Sequence, residues 1–99
     1  MITGAQCRAA RALVEWTRDV LARKAGVDVA VIEAFERRLD DPGIDDRRKI
    51  ERALEAGGAS FIPENGGGIG VRLKFSRADV RRIATLEGEG GAVGTDDVP

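Results

Sequence analysis

Three arginines bracket one short segment of this chain. Arg18 precedes it, Arg37 and Arg38 follow it, and between them lie Asp28, Val29, Ala30, Glu33 and Ala34. A guanidinium fork pairs with a phosphate or a carboxylate through two parallel hydrogen bonds. The methyl groups of Val29, Ala30 and Ala34 can meet only apolar surface, and the carboxylates of Asp28 and Glu33 can only accept hydrogen bonds. Thr17, beside Arg18, adds a hydroxyl. Such a set could anchor a polyanionic backbone and touch what lies between its phosphates. Acid–base and nucleophilic chemistry has fewer parts to work with. The 99 residues include no histidine, no tyrosine and a single cysteine, Cys7, which falls on an apolar helix face and reads as a small buried hydrophobe. The scattered carboxylates and lysines form no recognisable catalytic pair. One cysteine without histidine can neither hold zinc nor close an internal disulfide. The expectation is therefore no catalytic residue, no metal and no cofactor.

The elements that must position these groups can be read from caps and periodicity. Thr3 with Gln6 makes a capping box for a helix from Thr3 to about Glu15, with Cys7, Ala10, Leu13 and Val14 on one face. Trp16 reads as a core residue stapled over Val20 or Leu21. Thr17 caps a second helix that turns its Val20, Leu21 and Ala25 inward, and Gly26 supplies the positive φ that ends it. Val27 plugs the gap, Asp28 caps a third helix, and Ile32 and Phe35 form its buried stripe before it ends near Arg37 and Arg38. Asp40 to Asp46 is a loop with Pro42-Gly43 at its centre. A fourth helix starts at Asp45 or Asp46, buries Ile50, Ala53 and Leu54, and stops at Gly57-Gly58.

Beyond Gly58 the period shortens. Phe61-Ile62-Pro63 and Val71 to Phe75 read as strands, joined by a glycine-rich stretch from Glu64 to Gly70 that suggests a hairpin with a floppy tip. The glycines lack the Lys-Ser/Thr of a phosphate loop, so a nucleotide site is not expected. Ser76 and Asp79 open a short helix to about Leu86, with Val80, Ile83 and Ala84 inward and Arg77, Arg81 and Arg82 outward. Gly88 to Pro99 lacks periodicity and reads as disordered.

From about Thr3 to Leu54, over half the chain, Arg11, Leu13, Trp16-Thr17, Leu21-Ala22, Ala25-Gly26-Val27, Ile32 and Phe35-Glu36 fall in register with a known pattern. On these residues the sequence resembles the phage-repressor-like (Cro and XRE type) helix-turn-helix transcriptional regulators. The resemblance implies a mainly α fold, with a four-helix DNA-binding head over 1–58 and a hairpin plus short helix over 59–87 for two-fold dimerisation, followed by the tail 88–99. It implies that Arg11 and Glu36 pair across the fold, the alternative being two solvated charges. It also implies that Thr17 and Arg18 meet the DNA backbone at the start of the second helix, with Arg37 and Arg38 doing so after the third. Asp28, Val29, Ala30, Glu33 and Ala34 would face the major groove. There the chain departs from the family pattern, which often has hydrogen-bonding or basic residues at these positions. Thymine methyls, DNA shape and phosphate anchors would have to do the reading.

A two-stranded ribbon leaves its edges unpaired, and pairing Phe61, Ile62, Val71, Leu73 and Phe75 with a second copy would form a dimer. The alternative is a hairpin packed on its own helical domain. Net charge is −1, which is unlike a nucleic-acid binder, but the charge is segregated. Residues 1–38 hold seven bases and five acids, while 40–46 hold four acids and no base. Local field outweighs the sum in steering. The expected partners are double-stranded DNA and a second copy, with no membrane, in the cytoplasm at the nucleoid. The function expected is a repressor on a pseudo-palindromic operator. The competing reading is a degenerate helix-turn-helix that binds protein instead, in the manner of an anti-activator or antitoxin.

Overall fold

The computed structural model describes residues 1–74. Phe75, the helix expected to about Leu86 and the tail 88–99 lie outside the described residues. Four helices are followed by one antiparallel hairpin: α1 (Gly4–Val14), α2 (Arg18–Ala25), α3 (Val29–Glu36), α4 (Ile44–Ala56), β1 (Ala59–Ile62) and β2 (Gly70–Leu73). The molecule is small and mainly helical.

Local chemistry sets the helix ends. Thr3 Oγ1 accepts from Gln6 N at 3.1 Å and Gln6 Oε1 accepts from Thr3 N at 3.0 Å, which closes the capping box of α1. Thr17 Oγ1 accepts from Val20 N at 3.1 Å and Asp28 Oδ1 from Ala30 N at 2.9 Å, capping α2 and α3. Gly26 leaves α2 with φ +75°, a conformation in which a Cβ would be strained. The turn between α2 and α3 is thus only Gly26, Val27 and Asp28. The fourth helix begins earlier than its acidic residues suggested, at Ile44 after Gly43, without a side-chain cap. Asp45 and Asp46 fall inside its first turn, where they complement the positive end of the helix dipole.

The core joins all four helices and the hairpin through Cys7, Ala10, Leu21, Ile32, Phe35, Ile50, Leu54 and Ala59. Leu13, expected on the buried face of α1, is instead 38% exposed. The apolar stripe of α1 is carried by Cys7 and Ala10, and Leu13 lies just off it. Trp16 packs against the core as expected, but its ring lies on Gly57, where a Cβ would come within 2.6 Å of the indole. Lys24 Nζ sits over the same ring, 5.2 Å from its centroid. The helices α1 and α3 approach closely at Gly4, where any Cβ would run into the Phe35 carbonyl.

Strand β1 starts at Ala59, two residues before the expected start, and Pro63 lies beyond its end. Its register pairs Ala59 with Leu73, Ser60 with Arg72, Phe61 with Val71 and Ile62 with Gly70. Ala59 is buried, and Phe61 and Val71 pack on the helical core from the same face of the ribbon. Gln6 joins the hairpin to α1 by donating from Nε2 to Gly70 O at 2.9 Å and Ile62 O at 3.4 Å. The glycine-rich tip carries side-chain to backbone hydrogen bonds of its own. Glu64 Oε2 accepts from Gly66 N at 3.0 Å and Gly68 N at 3.3 Å, and Asn65 Oδ1 accepts from Gly67 N at 3.1 Å. A carboxylate gathering successive backbone N–H groups fills the concavity that such a turn creates.

Candidate nucleic-acid interface

The site is organised by Glu36, the last residue of α3, which is 2% exposed. Arg11 from α1 reaches it with both edges of the guanidinium, Nε to Oε2 and Nη2 to Oε1, each at 2.7 Å. Arg11 Nη1 also donates to the Trp16 carbonyl at 3.0 Å. From α2, Arg18 Nε donates to Glu36 Oε1 at 3.0 Å. The Cys7 thiol completes the set by donating to Oε2 at 3.1 Å. One buried carboxylate therefore ties three helices together. Burial pushes the Glu36 carboxyl up, but hydrogen bonds from Arg11, Cys7 and Arg18 and the Arg11 charge outweigh it, leaving the carboxyl below the usual range. Burial, followed by the hydrogen bond to Glu36, pushes the Cys7 thiol well above its ordinary value.

Two guanidinium groups thus converge on one carboxylate at this junction. It borders a shallow cleft of about 560 Å³ lined by Arg11, Trp16, Thr17, Arg18, Asp19, Val29 and Glu33. Thr17, Arg18, Val29 and Glu33 from the expected site are thus brought together at the meeting of the α2 N-terminus and the start of α3. Only Nε of Arg18 is held by Glu36, and the side chain is 33% exposed. That leaves its two Nη groups to address an anion.

Asp28 and Ala30 are exposed on the first turn of α3, and Val29 is 37% exposed. Ala34 is half-buried, and its carbonyl accepts from Leu39 N at 2.8 Å and Asp40 N at 3.3 Å to close the end of α3. Arg37 Nη1 pairs with Glu33 Oε2 at 3.0 Å one turn back, so the two side chains neutralise each other on the exposed face. Arg38 stands apart. It adopts φ +62° and lines a second open cleft with Thr3, Gly4, Leu39, Asp40 and Arg47.

Of the residues expected to dimerise, Phe61 and Val71 pack on the chain's own core, Ile62 and Leu73 are half-buried, and Phe75 is outside the described residues. The bond from Lys74 N to Gly58 O fixes the ladder's alternation, so the N–H and C=O groups of Val71 and Leu73 point away from β1.

Sequence reasoning missed the tie from Arg18 to Glu36 and the place of Arg11 on the cleft wall. The available signal was charge balance: a carboxylate on a buried helix face with two arginines at earlier helix positions. Among the described residues no group of three or more His, Cys, Asp or Glu could hold a metal ion, and no helix is long and apolar enough to cross a membrane. Compared with known proteins, the chain matches no family model, and no curated protein matches it significantly.

Proposed function

We propose that this chain is a DNA-binding regulator of the phage-repressor-like helix-turn-helix type, with α3 as the helix that enters the major groove. The observation that carries this reading is the Glu36 junction. It ties α2 to α3 across a three-residue turn, beside an exposed first turn of α3 and a cleft lined by Arg18, whose Nη groups are not bonded to Glu36. That is what docking requires: a backbone anchor next to an exposed helix start. Arg38, and the part of the Arg37 guanidinium that Glu33 does not hold, would add phosphate contacts at the other end of α3. Function as a dimer on a pseudo-palindromic operator, repression and a location at the nucleoid follow from the resemblance of the sequence. For the dimer, the outward edge of β2 at Val71 and Leu73 is the surface suited to pairing with a second copy.

The test is fluorescence anisotropy of the full chain on duplex DNA at several salt concentrations. Arg18→Ala should weaken binding to every sequence alike and flatten the slope of log affinity against log salt by about one unit. Failure to bind any duplex more tightly than about 10 μM at low salt would end the DNA reading, since even non-specific binders reach that range.

A second reading is supported by the charge of α3. It carries no base, Glu33 neutralises Arg37, and exposed Leu39 and Ile44 flank an acidic loop. This is a surface suited to a basic protein partner. If the DNA titration fails, capture of a host protein that is lost with Leu39→Asp would favour it.

A further inference from the structure

The exposed start of α3 restricts which base it can meet. This inference rests on the DNA-binding reading and names the base class for the same site. Val29 and Glu33 lie one helical turn apart and line the same cleft as Arg18, so a phosphate held by Arg18 would bring a base edge to both. Val29 and Ala30 present only methyl groups. Asp28 uses Oδ1 to cap α3, and Glu33 uses Oε2 to hold Arg37. Glu33 Oε1 has no protein partner among the described residues. No side chain from Asp28 to Glu36 carries a hydrogen-bond donor.

A face of methyl groups beside a carboxylate acceptor cannot serve guanine, whose major-groove edge offers two acceptors. Thymine offers a methyl group, but its O4 acceptor lies directly beside that methyl and would repel the carboxylate. Adenine offers an N6 amino donor but carries no methyl, and the methyl of its thymine partner lies beyond the O4 acceptor; cytosine offers the N4 amino donor without the methyl. Cytosine methylated at C5 puts a methyl group and an amino donor side by side, the two partners that the Val29 methyls and the Glu33 acceptor lack among the described residues. We propose that α3 reads 5-methylcytosine in duplex DNA, with Val29 and Ala30 against the C5-methyl and Glu33 Oε1 accepting from the N4 amino group.

The experiment uses a random 20-base-pair duplex library made in two forms, one with cytosine and one with 5-methylcytosine throughout, competing for the full chain at low salt. The methylated form should be retained preferentially. On the sequences enriched from it, removing the methyl at the contacted base should weaken binding on the order of fourfold, the factor of one buried methyl-sized group at about 0.8 kcal/mol. Thymine at that base should bind more weakly than 5-methylcytosine. Glu33→Gln should abolish this discrimination against thymine while the effect of the methyl persists, and Val29→Ala should shrink the effect of the methyl. Both residues are partly exposed, and far-UV circular dichroism should find the variants folded. Equal retention of the two libraries overturns the inference and leaves DNA binding standing. Discrimination against thymine that survives Glu33→Gln also overturns it. Retention of neither library overturns the DNA reading itself.

Discussion

Replacing Arg11 by alanine should be among the most costly single changes to this fold, and its cost should depend on pH. The substitution removes two hydrogen bonds to Glu36 and one to the Trp16 carbonyl. Breaking a buried ion pair by deleting one partner costs about 3–5 kcal/mol, because a charge is left behind without compensation. Here Arg18 and Cys7 still face the carboxylate, so about 2–4 kcal/mol is expected at neutral pH. With a urea m-value of roughly 1 kcal/mol/M for so small a core, the midpoint should fall by about 2 M or more. The sign of the pH effect follows from the direction of the Glu36 shift. A carboxyl held below its unfolded value contributes stability above about pH 4.3 that is lost as pH falls through the folded value. Without Arg11 that contribution shrinks, so the gap between the two proteins should be widest near pH 7 and narrow toward pH 3. Urea titrations followed by the fluorescence of Trp16, the one tryptophan of the chain, measure both quantities. Arg8→Ala, at an exposed position of the same helix, serves as the control. Equal midpoints for the two variants, or a gap unchanged between pH 7 and pH 3, would refute the reasoning.

Cys7 should resist thiol reagents at pH 8 until the protein unfolds, since its sulfur is buried and its thiol is held protonated; labelling followed by mass spectrometry with and without denaturant checks this, and rapid labelling of the native chain would contradict it. Gly4→Ala should lower the melting temperature sharply, costing about 1–3 kcal/mol through the forced separation of α1 from the Phe35 carbonyl, whereas Gly43→Ala, where a Cβ meets nothing within 4 Å, should not. Gln6→Leu should release the hairpin from α1 and cost about 1–3 kcal/mol by leaving the Ile62 and Gly70 carbonyls without their side-chain donor; hydrogen exchange should quicken first at the amides of β1 and β2. Light scattering at micromolar concentration should give twice the chain mass, and Val71→Pro, which removes an outward N–H from β2, should reduce it to the mass of one chain.

What could be read from this sequence is what depends on near neighbours along the chain. The caps at Thr3, Thr17 and Asp28 bond to residues two or three positions away, and the φ of Gly26 is a property of that residue and its turn. A window of a few residues contains all the groups involved, so helix existence and the short turn between α2 and α3 were legible in advance. Even the Arg11–Glu36 pair came from resemblance and not from spacing, because nothing local joins residues 25 positions apart. Tertiary structure alone decided the rest. The loss of one apolar residue, Leu13, to solvent reflects the angle at which α1 meets its neighbours. The thiol of Cys7 and the guanidinium of Arg18 converge on one carboxylate only because α1, α2 and α3 cross there. Gln6 reaches across 56 and 64 positions to the Ile62 and Gly70 carbonyls. In the glycine-rich tip the Glu64 carboxylate meets two backbone donors, a set of contacts that composition alone does not give. Local rules placed the helices, and the desolvation of one glutamate, which must find donors wherever the fold can supply them, set how they meet.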